Sequence, residues 1–443
     1  MQSYRDELKN RPRLQGPTIA ILIVVLALCA VPAERRAHAL ARVTPDRAAT
    51  TGTPQRIIAV ADVHGAYQEF VGILEQVRLI DANHHWVGGQ TIFVQVGDVA
   101  DRGAETRKAL DLLMDLEREA PAQGGKVIPL LGNHEVMQMM GDLRYTTPAD
   151  FQSFSTDQSE KVRDAAYREY RKFIAATRQV HDVPDDEEAH QRWLARHPLG
   201  FFEERDAYAP DGTYGRWLRT HDAVALVGDT LFLHAGLDPE LHFGSLKDLN
   251  GRIHSEIADF AELARTLAEE EIIWRYMTLD EAFNQVKLNY DALQGGSTGA
   301  PADTEGIHRI LALRQMLAVP NTLLMSNQSP IWYRGLALEP EQKNEAGLTK
   351  LLGRLNAHSI VVGHTVLPKF TITARFDHRV FLIDTGMLKS YYGGRASALE
   401  IKGGRFTAFY ADDPNPHVLA GESGAASYRE RVETASYGAL VSH

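Results

Sequence analysis

Asp62-Val63-His64-Gly65, Gly97-Asp98-Val99-Ala100-Asp101-Arg102-Gly103, Gly132-Asn133-His134-Glu135 and Gly363-His364-Thr365 each follow an apolar run: Ile57 to Ala61, Thr91 to Val96, Val127 to Leu131 and Ile360 to Val362. Short runs rich in β-branched residues read as buried strands of a parallel sheet. Their polar sequels therefore stand at strand C-terminal ends, where open α/β sheets collect their ligands. Tyr67, Phe70, Val71, Leu74 and Val77 repeat at helical spacing after the first segment, and Leu110, Leu113, Met114 and Leu116 do so after the second. The order strand, helix, strand, helix, strand predicts a parallel sheet with right-handed crossovers. Ala223 to Val227 with Thr230 to Leu233, and Ser397 to Lys402 with Arg405 to Tyr410, read as hairpins closed by Gly228-Asp229 and Gly403-Gly404.

Residues two apart on a strand end point to one face, so Asp62 and His64 can grip one cation. Asp98 can bridge two ions through its two carboxylate oxygens. Asn133 can add an amide oxygen, and His234, in Leu231-Phe232-Leu233-His234-Ala235-Gly236, and His364 can add imidazole nitrogens to complete the second ion. The donor set mixes oxygen and nitrogen without sulfur, which suits Mn, Fe or Zn better than Ca or Mg. Taken singly, Asp-x-His-Gly reads equally as a turn with an N-capping Asp, and Gly-Asn-His-Glu as an ordinary strand-to-helix loop. Their joint order, each behind an apolar run, favours the metal reading.

These segments resemble the calcineurin-like metallophosphoesterases, and within them the phosphoprotein phosphatase branch, whose signature is GDxHG, GDxxDRG, GNHE, HGG and a late histidine. Ala61 and Ala235 replace two glycines of that signature, both small for small. Leu382-Ile383-Asp384-Thr385-Gly386 marks the chain as most similar to the Shewanella-like protein phosphatases. The resemblance covers roughly residues 55 to 410. It implies two divalent metal ions, Mn foremost with Fe or Zn as alternatives, and a metal-bridging hydroxide as nucleophile, because bound metal lowers the pKa of water. It further implies His134 as general acid, Asp101 as the carboxylate that orients it, and Arg102 and Arg334 as phosphate clamps, guanidinium being suited to bidentate phosphoryl binding. Arg334, after Trp332 and Tyr333, reads equally as a cation stacked on an aromatic face. Glu135 reads as a hydrogen-bond acceptor behind the ligands. Asp384 and Tyr392 line the site by the same resemblance, although a strand-end turn explains Asp384 equally well.

Arg5, Lys9, Arg11 and Arg13, then the apolar Ile19 to Val31, then Ala37-His38-Ala39-Leu40-Ala41 follow the plan of a secretory signal peptide over residues 1–41, which places the mature chain in the periplasm or outside the cell. An uncleaved membrane anchor is the alternative. The apolar core is shorter than the ~20 residues of a spanning helix, so no stable membrane span is expected in the mature chain. Removal of that segment also removes Cys29, the one cysteine, leaving a chain with no thiol to mispair in an oxidising compartment. The net charge of −11, with no Lys/Arg-dense stretch, argues against a nucleic-acid partner. Anionic phosphate must then be held by local positive charge.

Helical patterns at Ala165 to Thr177, Ala258 to Glu271 and Leu279 to Leu293 interrupt this plan. The expected fold is accordingly α/β: a metallophosphoesterase sandwich of two mixed β-sheets flanked by helices, spanning 55–411. Helical insertions at about 140–220 and 245–321 would form a cap over the metal site. Residues 42–54 read as a linker, Gly295 to Gly299 as a flexible break, Asp185 to Glu188 as an acidic helix start, and 412–443 as a loosely ordered tail. The expected function is phosphomonoester hydrolysis on a phosphorylated protein. Hydrolysis of nucleotides or other small phosphate esters or anhydrides is the alternative, and a non-catalytic phosphoprotein-binding module a third.

Overall fold

Alternation along the strands decides the layering. In Ile57–Val60 (β1), Ile57 and Ala59 pack into one buried cluster and Ile58 and Val60 into another, so the strand is covered on both faces. The computed structural model describes residues 56–177, 186–295 and 304–421. Ile92–Gln95 (β2) and Lys126–Pro129 (β3) run parallel to β1. Val224–Val227 (β4) and Thr230–Leu233 (β5) form the expected hairpin, and Ser359–Val362 (β6) pairs parallel to β5. Thr373–Arg375 (β7) is antiparallel to Val380–Leu382 (β8), which runs parallel to β6. Ser397–Lys402 (β9) and Arg405–Tyr410 (β10) form the second hairpin, and β9 closes antiparallel onto β1.

With Asp413–Ala420 as β11 beside β10, two mixed sheets result, β11-β10-β9-β1-β2-β3 and β4-β5-β6-β8-β7. Between them Ile57, Ala59, Val94 and Val96 of one meet Phe232, Val361 and Phe381 of the other, and Phe381 stacks on Phe406 at 4.2 Å. Outside, Ile58, Val60 and Phe93 pack against Phe70, Leu74, Leu110 and Leu113 of the helices Tyr67–Gln76 and Thr106–Glu119. This is the expected sandwich.

Residue 412 does not begin a loose tail. Asp413–Ala420 (β11) adds an antiparallel strand to β10 at the sheet's edge. Pro414 and Pro416 are tolerated there because an outer strand leaves half its N–H groups unpaired. The insertions also differ from a simple cap. The helix Leu246–Glu269 buries Leu249, Ile253 and Ile257 in the main core. Its Asn250 accepts from the N–H groups of Ala223 and Val224 and donates to the Val224 carbonyl, so this helix is a flanking layer pinned to β4. Trp193, Phe201 and Phe202 of the first insertion pack with Trp274 and Tyr276 of the second in an aromatic cluster of their own. Both insertions belong to one compact unit with the sheets. Asp186, of the expected acidic helix start, caps Glu187–Arg196 by accepting from the N–H groups of Glu188 and Ala189. The 1–41 and 42–54 segments, Asp185, the 296–299 part of the glycine break and everything beyond 421 lie outside the described residues. No described helix is long and apolar enough to cross a membrane.

Candidate active site

Asp62, Asp98 and Asn133 follow the parallel strands β1, β2 and β3, and His234, His364 and Asp384 follow β5, β6 and β8, so all six meet where the parallel strands of both sheets end. The sheets are joined at this point, where the His364 N–H after β6 donates to Asp62 Oδ1 after β1 at 2.9 Å. His64, Asp98, Asp101, Arg102 and His364 all have φ between 49° and 71°, a left-handed backbone that non-glycine residues rarely adopt. Such conformations persist where the surroundings over-determine them, and they concentrate at functional sites. Glu135 supplies much of that determination, accepting from the N–H groups of Asp98, Val99, Ala100 and Gly132. A Cβ at Gly132 would stand 2.2 Å from Asp98 Oδ1, so the approach of these two loops requires glycine there.

Tautomers follow from the hydrogen bonds. His234 Nδ1 donates to the Val96 carbonyl and His64 Nδ1 to the Ala100 carbonyl, both at 2.9 Å, which leaves a lone pair on each Nε2. His234 Nε2 then lies 3.2 Å from Asp98 Oδ2 and 3.0 Å from Asn133 Oδ1, two acceptors, and 3.0 Å from His364 Nδ1. The Asn133 amide is turned this way because its Nδ2 contacts Met137 Sδ. Lone pairs converging without a proton repel, whereas a cation coordinates them all. His364 Nε2 is buried without a hydrogen-bond partner among the described residues. Asp98, His234 and His364 form one group able to hold a metal ion, and His64, Asp98 and His134 form another, with Asp98 common to both. The expected ligands thus fit divalent metal. One difference stands out: the second group contains His134 in the place expected for Asp62, whose Oδ2 lies 3.7 Å from His64 Nε2.

Electrostatics point the same way. Burial, then the Asp384 charge, raises Asp62 well above the usual carboxylate range, and burial pushes Asp98 up to about 7. Neighbouring carboxylates this deep require cations to ionise together. Burial likewise holds His64, His234 and His364 below the ordinary imidazole value, keeping them neutral as ligands must be.

Beside this cluster stands a dyad. His134 Nδ1 donates to Asp101 Oδ2 at 2.6 Å, and Asp101 Oδ1 accepts from Gln138 Nε2 at 2.6 Å and Thr146 Oγ1 at 2.8 Å. Arg102 Nη2 donates to His134 Nε2 at 3.0 Å, while its Nη1 reaches both His64 Nε2 and the Tyr392 hydroxyl. Arg334 Nη1 donates to the His364 carbonyl at 2.7 Å and to Thr365 Oγ1 at 3.0 Å, which sets its guanidinium on the His364 loop. Every expected site residue is thereby gathered in one place. Gln138, Thr146 and Tyr145 were not expected. Gln138 lies four residues after His134 on the helix Asn133–Met140, a spacing that could have revealed it. Thr146 and Tyr145 carry no such signal, since a loop from the first insertion brings them in. Asp384 satisfies both earlier readings: Oδ1 accepts from the Gly386 N–H in a strand-end turn, and Oδ2 is buried within the site without a hydrogen-bond partner among the described residues.

The profile of the calcineurin-like phosphoesterases matches residues 55–368, well over half of the chain. The chain belongs to the calcineurin-like phosphoesterases. It is 34% identical over 212 residues to Shewanella-like protein phosphatase 2 of Arabidopsis thaliana, a match covering 47% of this phosphoesterase and 53% of that protein. The chain thus spans about half the length of that plant relative. It is 24% identical to Shewanella-like protein phosphatase 1 of Plasmodium berghei, over 76% of this chain and 69% of that one. Its fold is similar to that of the cold-active protein-tyrosine phosphatase of a psychrophilic Shewanella species, with a TM-score of 0.51, 22% identity and coverage of 83% and 81%. This family membership supports a metal-dependent phosphoesterase.

Proposed function

We propose that this phosphoesterase hydrolyses phosphomonoesters at a two-metal centre and acts on phosphorylated proteins. The observation that carries the reading is the placement of the Asp101–His134 dyad and Arg102 against the lone-pair cluster around Asp98 and His234. Asp62, His64, Asp98, Asn133, His234 and His364 would hold the ions. When bound, divalent ions such as Mn, Fe or Zn supply a nucleophilic water ionised near neutral pH and polarise the phosphoryl group.

Arg102 and Arg334 bind phosphoryl oxygens through paired N–H groups. His134 Nε2 carries the proton that the leaving oxygen receives, and Asp101 fixes the opposite tautomer and stabilises the imidazolium. In the structure burial, then Arg102, holds His134 well below its ordinary value, while burial lifts Asp101 to about 6. A phosphate dianion seated on Arg102 offsets the repulsion between guanidinium and imidazolium, so substrate itself favours the proton on Nε2. The test is a hydrolysis screen of metal-loaded protein against phosphopeptides, nucleotides and sugar phosphates. Turnover of phosphopeptides is expected, and turnover of nucleotides alone would overturn the protein-phosphatase reading.

Export rests on the tripartite pattern of residues 1–41. Mass spectrometry of protein from an exporting host should find a mature chain beginning near Arg42. An intact N-terminus in the membrane fraction would favour the anchor.

A further inference from the structure

The loop that follows β5 and the helix Glu341–Leu355 enclose a groove of about 550 Å³. Pro239, Leu241, Phe243 and Leu351 line it with apolar surface, and Lys350 and Arg354 line it with positive charge. The groove is built. A Cβ at Gly347 would stand 2.5 Å from Pro239 Cβ, so glycine there lets the loop lie on the helix. Arg354 fixes the loop further along: its Nη1 donates to the Phe243 carbonyl at 3.1 Å, and its Cζ lies 4.1 Å from the Phe243 ring centroid. Leu241 and Phe243 rest on the main core yet stay only half-buried, which leaves apolar surface open.

Charge is sorted around this helix. Lys343, Gly347, Lys350 and Arg354 recur at spacings of four, three and four, which puts them on one face. Glu341 and Glu345 lie on the opposite face, where Arg375 and Arg379 pair with them. Lys343 pairs with Glu339, and Glu240, the acid that lines the groove, also acts on Lys343. Lys350 and Arg354 are exposed and have no carboxylate partner among the described residues. In a chain of net charge −11, two such cations beside open apolar surface complement an acidic and apolar ligand. We propose that the groove docks an acidic, leucine-containing segment of a phosphorylated protein substrate. This rests on the protein-phosphatase reading above. From Gly347 to Arg354 the helix rises about 10 Å, the span of about three extended residues. Carboxylates of the docked segment bind Lys350 and the remaining N–H groups of Arg354, while an aliphatic side chain covers Leu241 and Phe243. Pro239 follows His234 by five residues, at most about 18 Å of chain, so a segment held here keeps its phosphorylated part near the candidate ligands.

The test uses metal-loaded wild type, Lys350→Glu and Lys350→Arg with a fluorescein-labelled hexapeptide of alternating glutamate and leucine, and its lysine-for-glutamate and serine-for-leucine analogues. Fluorescence anisotropy should show wild type binding the acidic peptide roughly tenfold more tightly than either analogue, with affinity falling as salt is added. Lys350→Glu should weaken that binding roughly tenfold, and Lys350→Arg should retain it. Equal binding of the acidic and basic peptides, or unchanged binding in Lys350→Glu, would overturn the proposal. A second readout joins the acidic hexapeptide to a phosphoserine peptide through a flexible glycine–serine linker. In wild type its KM should be roughly fivefold below that of the phosphopeptide alone, an advantage lost in Lys350→Glu, while turnover of phenyl phosphate is the same in both proteins. If no phosphoester is hydrolysed, the phosphatase reading fails and the binding measurements alone decide the groove. Sedimentation showing a dimer that Lys350→Glu abolishes, without peptide binding, would assign the groove to a second copy of the chain and remove the docking role.

Discussion

Asp98 is held from several directions. Its N–H is bound by Glu135, its Oδ1 accepts from the His134 N–H, and its Oδ2 lies 3.2 Å from His234 Nε2, 3.7 Å from His64 Nε2 and 3.8 Å from His134 Nε2. A carboxylate in this position can serve two cations at once, and a neutral amide cannot. Asp98→Asn is therefore expected to lose bound metal together with activity. Elemental analysis should find about two ions per wild-type chain after full loading, and clearly fewer in the variant. His134 makes a separable contribution. A phenol leaving group has a pKa near 10, and an alkyl alcohol is several units more basic, so alkyl esters depend more on the proton donor. His134→Ala should lose roughly a hundredfold or more on phosphoserine peptides and less on aryl phosphates. Equal losses, with chemistry rate-limiting, would assign His134 to orientation only.

Loops at strand ends carry the candidate site residues, and short helices hold them. Pro148–Phe154 is an example: its Asp150 accepts from Thr106 Oγ1 at 2.6 Å, tying this helix to Thr106–Glu119. Burial pushes Asp150 up to about 7, from an ordinary value of 3.8. The folded state thus favours the protonated acid. Its contribution to stability is complete below the unfolded pKa, declines as pH rises above it, and is gone once pH has passed the folded value. Urea titrations should show wild type losing stability between about pH 4 and pH 7 relative to Asp150→Asn, with a constant difference above that window. A difference independent of pH would mean that Asp150 titrates normally. At the sheet edge, β11 shows how an element escapes a compositional reading. Pro414 and Pro416 suggest loose structure, and only the unpaired edge of β10 makes a strand of that segment possible.

Across the whole molecule the candidate site joins two sheets through residues as far apart in the chain as Asp62 and His364. Ions bound there stabilise the native state by mass action, about 2.7 kcal/mol for one site at a hundredfold excess over Kd. Chelation should accordingly lower Tm by roughly 5 °C or more, reversibly on adding metal back. An unchanged Tm after verified metal removal would show that the sheets hold the site without help.

The parallel strands, the two hairpins and the gathering of the candidate site residues were legible in the sequence because each depends on local pattern: a buried strand of four residues, a two-residue turn, a polar residue at a strand's end. Ala61 and Ala235 did not obscure it, since the substitutions stay small. What tertiary structure alone decided are the residues whose meaning comes from neighbours far along the chain. Thr146 became a partner of Asp101, and Tyr145, Tyr391 and Tyr392 met around Arg102, because separate loops converge on one strand end. The helix Leu246–Glu269 became a flank of the second sheet because Asn250 meets the open edge of β4. Periodicity records which face of an element is buried. It does not record what that face is buried against.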